Sequence, residues 1–306
     1  MTPFKGIIVP MVTPLKDSSS LDIPGLERLI EHLIQGGVHG FFILGTTGEA
    51  QSLGYSIRKE LIERVCGQVL HRIPVLVGIT DAAPDESIRL ANIAAENGAD
   101  AVVAAPPYYF TPSVNELRHY YLSLADRVPL PLMLYNMPSH TKINLDAELV
   151  QLLGAHDNVV GIKDSSGDLI YFQKIIRMME EKPDFSLLVG PEELLMQALL
   201  SGCHGGVSGG ANMFPELYVG MYDAFLEKDF KKMEQLREHI IHVSSIIYAS
   251  DTYGGGYLQG LKGAMSMMDI CSPTLASPLL SIQKEQMERI DKALLNLESI
   301  GVYVKS

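Results

Sequence analysis

Lys163 closes the apolar run Val159-Val160-Gly161-Ile162 and is followed by Asp164-Ser165-Ser166-Gly167-Asp168. A lysine stem lying against an apolar interior loses the hydration that its ammonium needs, and the neutral amine is the form that attacks a ketone. The same position suits a strand-end lysine that snorkels to solvent, so the neighbouring segments matter. Gly45-Thr46-Thr47-Gly48-Glu49 is a glycine-flanked loop in which backbone N–H groups can approach a carboxylate while two hydroxyls donate to it. Taken alone, it also has the composition of an ordinary turn. Tyr135 ends another apolar run, where a buried phenol stays protonated and can pass its proton to a reacting oxygen. A core tyrosine with a satisfied hydroxyl looks the same in sequence, and Tyr108 and Tyr109 are open to the same two readings.

These residues need elements that hold them together. Short apolar or β-branched runs alternate with longer amphipathic stretches up to residue 230. The runs predict eight strands, at 6–12, 40–44, 75–79, 101–105, 132–135, 159–163, 186–189 and 205–208. Apolar spacing of three to four predicts helices at 23–35, 57–70, 87–97, 115–127, 193–200 and 216–226, with Gly36, Gly98, Gly154 and Gly202 placed as helix-ending glycines. Eight near-continuous apolar strands alternating with helices fit an α/β fold of the (β/α)8 TIM-barrel type better than an open doubly wound sheet. Beyond the barrel, at 1–230, only helical patterns follow, at 230–249, 258–268 and 283–297. No low-complexity linker intervenes, so residues 231–306 read as a helical C-terminal extension packed on the barrel. In such a barrel the active site lies at the C-terminal ends of the strands, where Thr46, Thr47, Tyr108, Tyr109, Tyr135 and Lys163 fall.

Composition narrows the function classes. The chain has 306 residues, of which 47% are hydrophobic and 20% charged, as expected of a globular protein with a large core. Its 24 Lys+Arg against 36 Asp+Glu give a formal charge of −12, which disfavours nucleic acid and anionic membrane as partners. Cys66, Cys203 and Cys271 are far apart, with neither a disulfide framework nor a thiolate metal spacing, and a reducing cytoplasm suits them. The first ten residues are too short an apolar stretch for a signal or a membrane span. His239 and His242 share a helical face without a third ligand, so no metal site is expected.

Four segments, in this order and spacing, carry a resemblance over essentially the whole chain: GTTGE at 45–49, YNMPSHT at 135–141, GIKDSSGD at 161–168 and GGVSGGAN at 205–212. They resemble the pyruvate-dependent class I aldolases that include dihydrodipicolinate synthase and N-acetylneuraminate lyase. The resemblance implies a TIM barrel with a helical extension, assembled as a homotetramer (a dimer of dimers). It implies that Lys163 forms an imine with pyruvate, and that this covalent imine replaces any cofactor. By the same resemblance Thr47 and backbone amides, with Gly48 in the substrate-binding set, hold the pyruvate carboxylate. Thr46 links Tyr135 and Tyr109 into a proton relay, with Tyr109 reaching the site of a neighbouring subunit. Val207 matches the residue whose backbone carbonyl faces the lysine amine.

Where the synthases carry an arginine for the carboxylate of the aldehyde substrate, this sequence has His140. A histidine does not reproduce that permanently charged fork. Gly190-Pro191-Glu192-Glu193 instead resembles the loop bearing sugar-binding acids in N-acetylneuraminate lyase, and Ser165 follows the lysine. A polyhydroxy substrate tail needs such partners. Glu192 and Glu193 also suit the opening turn of a helix. The expected reaction is therefore cleavage or formation of a 2-oxo-3-deoxy sugar acid from pyruvate and an aldehyde, with Lys163, Tyr135, Thr46 and Tyr109 as catalytic residues and Thr47, Gly48, Val207, His140, Ser165 and Glu193 contacting substrate. The alternatives are condensation of pyruvate with aspartate semialdehyde and, in another class, a non-catalytic sugar-acid-binding barrel.

Overall fold

The computed structural model describes residues 4–248 and 256–302. Its barrel strands are β1 (Gly6–Pro10), β2 (Gly40–Ile43), β3 (Val75–Gly78), β4 (Ala101–Ala104), β5 (Leu132–Asn136), β6 (Val159–Asp164), β7 (Ser186–Val189) and β8 (Gly205–Val207). Every residue of these eight strands except Val160 is buried, as expected of parallel strands covered on both faces. They form a closed eight-stranded barrel, with β8 returning to β1 through the parallel pairs Gly6↔Gly205, Ile7↔Gly206 and Ile8↔Val207. This is the (β/α)8 architecture that the sequence predicts.

The closure is tight. A Cβ built on Gly205 would lie 2.0 Å from the carbonyl oxygen of Gly6 and 2.6 Å from its nitrogen, and neither backbone atom can move aside independently. Gly205→Ala is accordingly expected to cost about 1–3 kcal/mol or more, as overpacking does. A thermal melt should show a clearly lowered midpoint, and a wild-type melting curve would contradict this account of the closure.

A helix follows each strand: α1 (Ile23–Gln35), α2 (Tyr55–Val69), α3 (Pro84–Glu96), α4 (Val114–Arg127), α5 (Ala147–Gly154), α6 (Leu169–Met178), α7 (Leu195–Leu200) and α8 (Pro215–Leu226). Their starts are chemically marked. Ser113 and Glu116 form a capping box on α4, and the side chain of Asp168 accepts from the Tyr171 N–H on α6. The helical C-terminal part follows as α9 (Phe230–Ile247), α10 (Gly256–Met267) and α11 (Lys284–Ser299). Ala249, where the first of these was expected to end, lies outside the described residues.

Contacts group the described residues into two compact units. One comprises those of Met1–Ile8, His39–Ile43 and Leu70–Val207, and so holds β2 to β8 with most of β1. Its core gathers Ile8, Phe42, Leu76, Ala101, Val103, Met133, Tyr135, Leu188 and Val207. The other comprises Val9–Val38, Leu44–Val69 and Ser208–Ser306, which carry α1, α2 and α8 to α11. Among the described residues no helix is long and apolar enough to cross a membrane.

Candidate active site

In the first unit, strand register places Tyr135, Lys163 and Leu188 side by side on β5, β6 and β7. Tyr135 and Leu188 belong to the apolar core, so Lys163 enters that core from the same face. It is 5% exposed. Its Nζ lies 4.2 Å from the centroid of the Tyr135 ring and 5.0 Å from that of Phe42, and the two rings stand nearly perpendicular at 6.0 Å. The amine thus sits against two aromatic surfaces where the apolar run of β6 ends. Val207 is a buried member of the same core.

The next residue points the other way. Asp164 pairs in register with Asn136, whose Nδ2 donates to the Asp164 carboxylate at 2.8 Å and to Asn144 Oδ1 at 2.9 Å. Ser166 adds its N–H and its hydroxyl to the same carboxylate. Burial raises the pKa of Asp164, and these hydrogen bonds oppose the shift. Backbone bonds fix β6 on both sides: the Ser165 N–H donates to Asn136 O at 2.8 Å, and the Gly190 N–H to Asp164 O at 2.6 Å. Lys163 is therefore carried on a strand with little freedom to shift.

The tail-binding candidates occupy neighbouring loops. Ser165 is half-buried, and a Cβ on Gly190 would fall 2.0 Å from its Oγ, so the hydroxyl rests directly on the Gly190 backbone. Glu192 is buried and Glu193 half-buried in the 3-10 turn Glu192–Leu194 that follows. His140 lies in the short helix Pro138–Thr141, with Nδ1 3.0 Å from Ser139 Oγ. Partial burial, then the charges of Lys142 and Lys163, hold its pKa below the ordinary value. Tyr109 is 78% exposed and stacks edge-on with the equally exposed Phe110 at 5.0 Å.

The threonine loop belongs to the second unit. Thr46 is half-buried, and Thr47, Gly48 and Glu49 are buried. The loop closes through the Glu49 N–H donating to Thr46 O at 3.0 Å, and Thr13 Oγ1 donates to Gly48 O at 2.7 Å. Thr47 Oγ1 lies 3.4 Å from the hydroxyl of Tyr257 on α10. Glu49 pairs with Lys262 of the same helix, both side chains being essentially inaccessible. Among the described residues no group of three or more His, Cys, Asp or Glu side chains is arranged to hold a metal ion.

With this geometry in place, comparison with known proteins is decisive. A model of the dihydrodipicolinate synthetase family matches residues 3–297. The chain belongs to that family. It is 33% identical to the 4-hydroxy-tetrahydrodipicolinate synthase of Methanoculleus marisnigri, over 96% of this chain and 99% of that one. It is 32% identical to the probable 2-dehydro-3-deoxy-D-pentonate aldolase YjhH of Escherichia coli, over 95% of this chain and 96% of that one. Among solved structures, the dihydrodipicolinate synthase of Bacteroides thetaiotaomicron superposes with a TM-score of 0.94 at 49% identity, covering 97% of this chain and 99% of that one. YagE, an Escherichia coli prophage protein solved in complex with pyruvate, gives 0.91 at 30% identity, covering 96% and 99%. The chain is an enzyme of this lyase and aldolase family.

The sequence assigned no role to Phe42 and Asn136, beside Lys163 and Asp164 in the first unit, or to Tyr257 and Lys262, beside the threonine loop in the second. Lys262 carried a readable signal, since it is the one charged residue in the span Gly256–Met267. A charge in an apolar helix that is fully buried requires a partner. Phe42 carried none, being one apolar residue in an apolar strand.

Proposed function

We propose that this chain is a Schiff-base-forming, pyruvate-dependent lyase that makes or breaks a carbon–carbon bond of a 2-oxo-3-deoxy sugar acid. The observation that carries the reading is the Lys163 amine, buried against the rings of Tyr135 and Phe42 near the C-terminal end of β6. The Lys163 nitrogen adds to the substrate's carbonyl carbon, and loss of water leaves an iminium. This sink accepts the electron pair of the breaking C3–C4 bond as an enamine. Tyr135 takes the proton of the C4 hydroxyl as it gives its own to the relay through Thr46, so the departing fragment leaves as an aldehyde. The relay returns that proton to the enamine at C3, and hydrolysis then releases pyruvate and restores the amine. The roles of Thr47 and Gly48 toward the carboxylate, of Thr46 in the relay and of the Val207 carbonyl complete the scheme. Thr46, Thr47 and Gly48 follow β2 and Val207 ends β8, at the C-terminal ends of strands, where such barrels carry out chemistry.

The substrate tail follows from His140, Ser165, Glu192 and Glu193. With its pKa lowered, His140 is a neutral imidazole at pH 7, able to donate to and accept from sugar hydroxyls but not to replace an arginine opposite a carboxylate. The assembly proposed is a cytoplasmic homotetramer in which the exposed Tyr109 reaches a neighbouring subunit's site, residues 231–306 forming an appendage to a barrel at 1–230. Exposed paired aromatics at a loop tip suit such a contact.

The second reading is the synthase reaction with aspartate semialdehyde, favoured by the names of several relatives. Condensation assays with pyruvate and either aspartate semialdehyde or glyceraldehyde separate the two. Faster turnover of the sugar aldehyde is expected. A kcat/KM at least tenfold higher for aspartate semialdehyde would transfer the assignment to the synthase.

A further inference from the structure

Glu49 has no role in the scheme above, yet its backbone and its carboxylate are both held in place. Its backbone adopts φ +56°, a left-handed conformation unusual for a side chain of this kind, which persists only where the surroundings over-determine it. Its carboxylate is engaged on both oxygens: Oε1 by the ammonium of Lys262, and Oε2 by the Ala276 N–H at 2.7 Å. Lys262 is 0% exposed and also donates to Thr274 O at 2.8 Å. One turn and a half earlier on the same helix, Tyr257 sets its hydroxyl 3.4 Å from Thr47 Oγ1. Gly209 makes room for that phenol, since a Cβ there would lie 1.7 Å from the Tyr257 oxygen. The Tyr257 ring is in turn backed edge-on by Tyr248 at 4.6 Å. One helix thus holds one loop at two points, by a buried ion pair behind it and by a phenol on the hydroxyl at its front.

We infer that α10 is the positioning element of the carboxylate-binding loop, with Lys262 and Glu49 fixing its backbone and Tyr257 fixing the Thr47 hydroxyl, so that this helix sets the affinity for the 2-oxo acid. The inference rests on the reading that Thr47 and its neighbouring amides receive the carboxylate. Pre-organised donors bind an anion without first having to be ordered, so loosening either point should weaken binding of the 2-oxo acid before it affects chemistry at Lys163.

The test uses the full chain, titrated with pyruvate in the presence of borohydride, with the fraction of protein carrying the reduced adduct read by mass spectrometry. Tyr257→Phe removes only the hydroxyl and is expected to raise the pyruvate concentration for half-maximal trapping about three- to tenfold. Gly209→Ala, which displaces the same hydroxyl, should move it in the same direction. Glu49→Gln combined with Lys262→Met removes both charges at nearly constant volume and should raise it about tenfold or more. In each variant the adduct yield at saturating pyruvate and the circular dichroism spectrum should match wild type. Unchanged half-saturation in Tyr257→Phe and in the paired variant would overturn the inference, as would a loss of yield at saturation without any shift. Should the paired variant fail to fold, Tyr257→Phe decides alone. If wild type itself formed no adduct, the proposed function would fall and the inference with it, an outcome visible before any variant is compared.

Discussion

Lys163→Ala is expected to lower pyruvate-dependent turnover about 10^4-fold or more, because it removes the covalent electron sink rather than one of several contributing contacts. The fold should survive. The substitution takes a cation out of the barrel interior and leaves the apolar neighbours Tyr135, Phe42 and Leu188, while the backbone bonds flanking β6 are untouched. Lys163→Arg should be nearly as inactive, since a guanidinium keeps its proton and offers no nucleophilic lone pair. Release of pyruvate from a 2-oxo-3-deoxy sugar acid, followed in a coupled assay, measures the loss. Turnover within tenfold of wild type in either variant would mean that the amine is not the nucleophile.

The largest effect on stability is expected from Lys262→Met. Removing one member of a buried ion pair strands the other charge where water cannot reach it, at a cost of about 3–5 kcal/mol. Glu49 would keep the Ala276 N–H as a hydrogen-bond donor but lose its counter-ion. Burial lowers the pKa of Lys262 and the Glu49 carboxylate opposes that shift, so the charge of the lysine in turn depends on its partner. Combining Lys262→Met with Glu49→Leu should recover most of the stability, because apolar replacements of a buried pair are often neutral or better. Urea denaturation of the single and double variants tests both statements. A single variant within about 1 kcal/mol of wild type would show that the pair is not buried as described.

The barrel was legible because strands covered on both faces carry unbroken apolar runs, and the eight predicted runs coincide with the eight strands. Their ends were less legible. The run predicted at 6–12 stops at Pro10, because the Val12 N–H goes to the side chain of Asn212 instead of to a neighbouring strand. The small hairpin of Leu15–Asp17 with Ser20–Leu21 passed unread, as segments this short and polar carry no period. The strand predicted at 132–135 runs one residue further, to Asn136, and the residues after it, for which no helix was expected, form a short helix at Pro138–Thr141.

The candidate site divides in the same way. Lys163, Tyr135 and the threonine loop were visible as polar residues that interrupt or end apolar runs. Their supports were not. Asn136 holds Asp164 through an amide whose role depends on the register between β5 and β6, and Lys262 acts on a residue 213 positions away. Spacing along a chain reports the face of an element, and long-range pairing of this kind is set only when the elements meet.

The central claim, an imine on Lys163, is tested most directly by incubating wild-type protein with pyruvate and borohydride, digesting it, and sequencing the modified peptide by mass spectrometry. The account predicts a single reduced pyruvyl adduct on the peptide spanning 161–168, assigned to Lys163 and absent from Lys163→Ala. An adduct at another lysine, or none at saturating pyruvate, would contradict it.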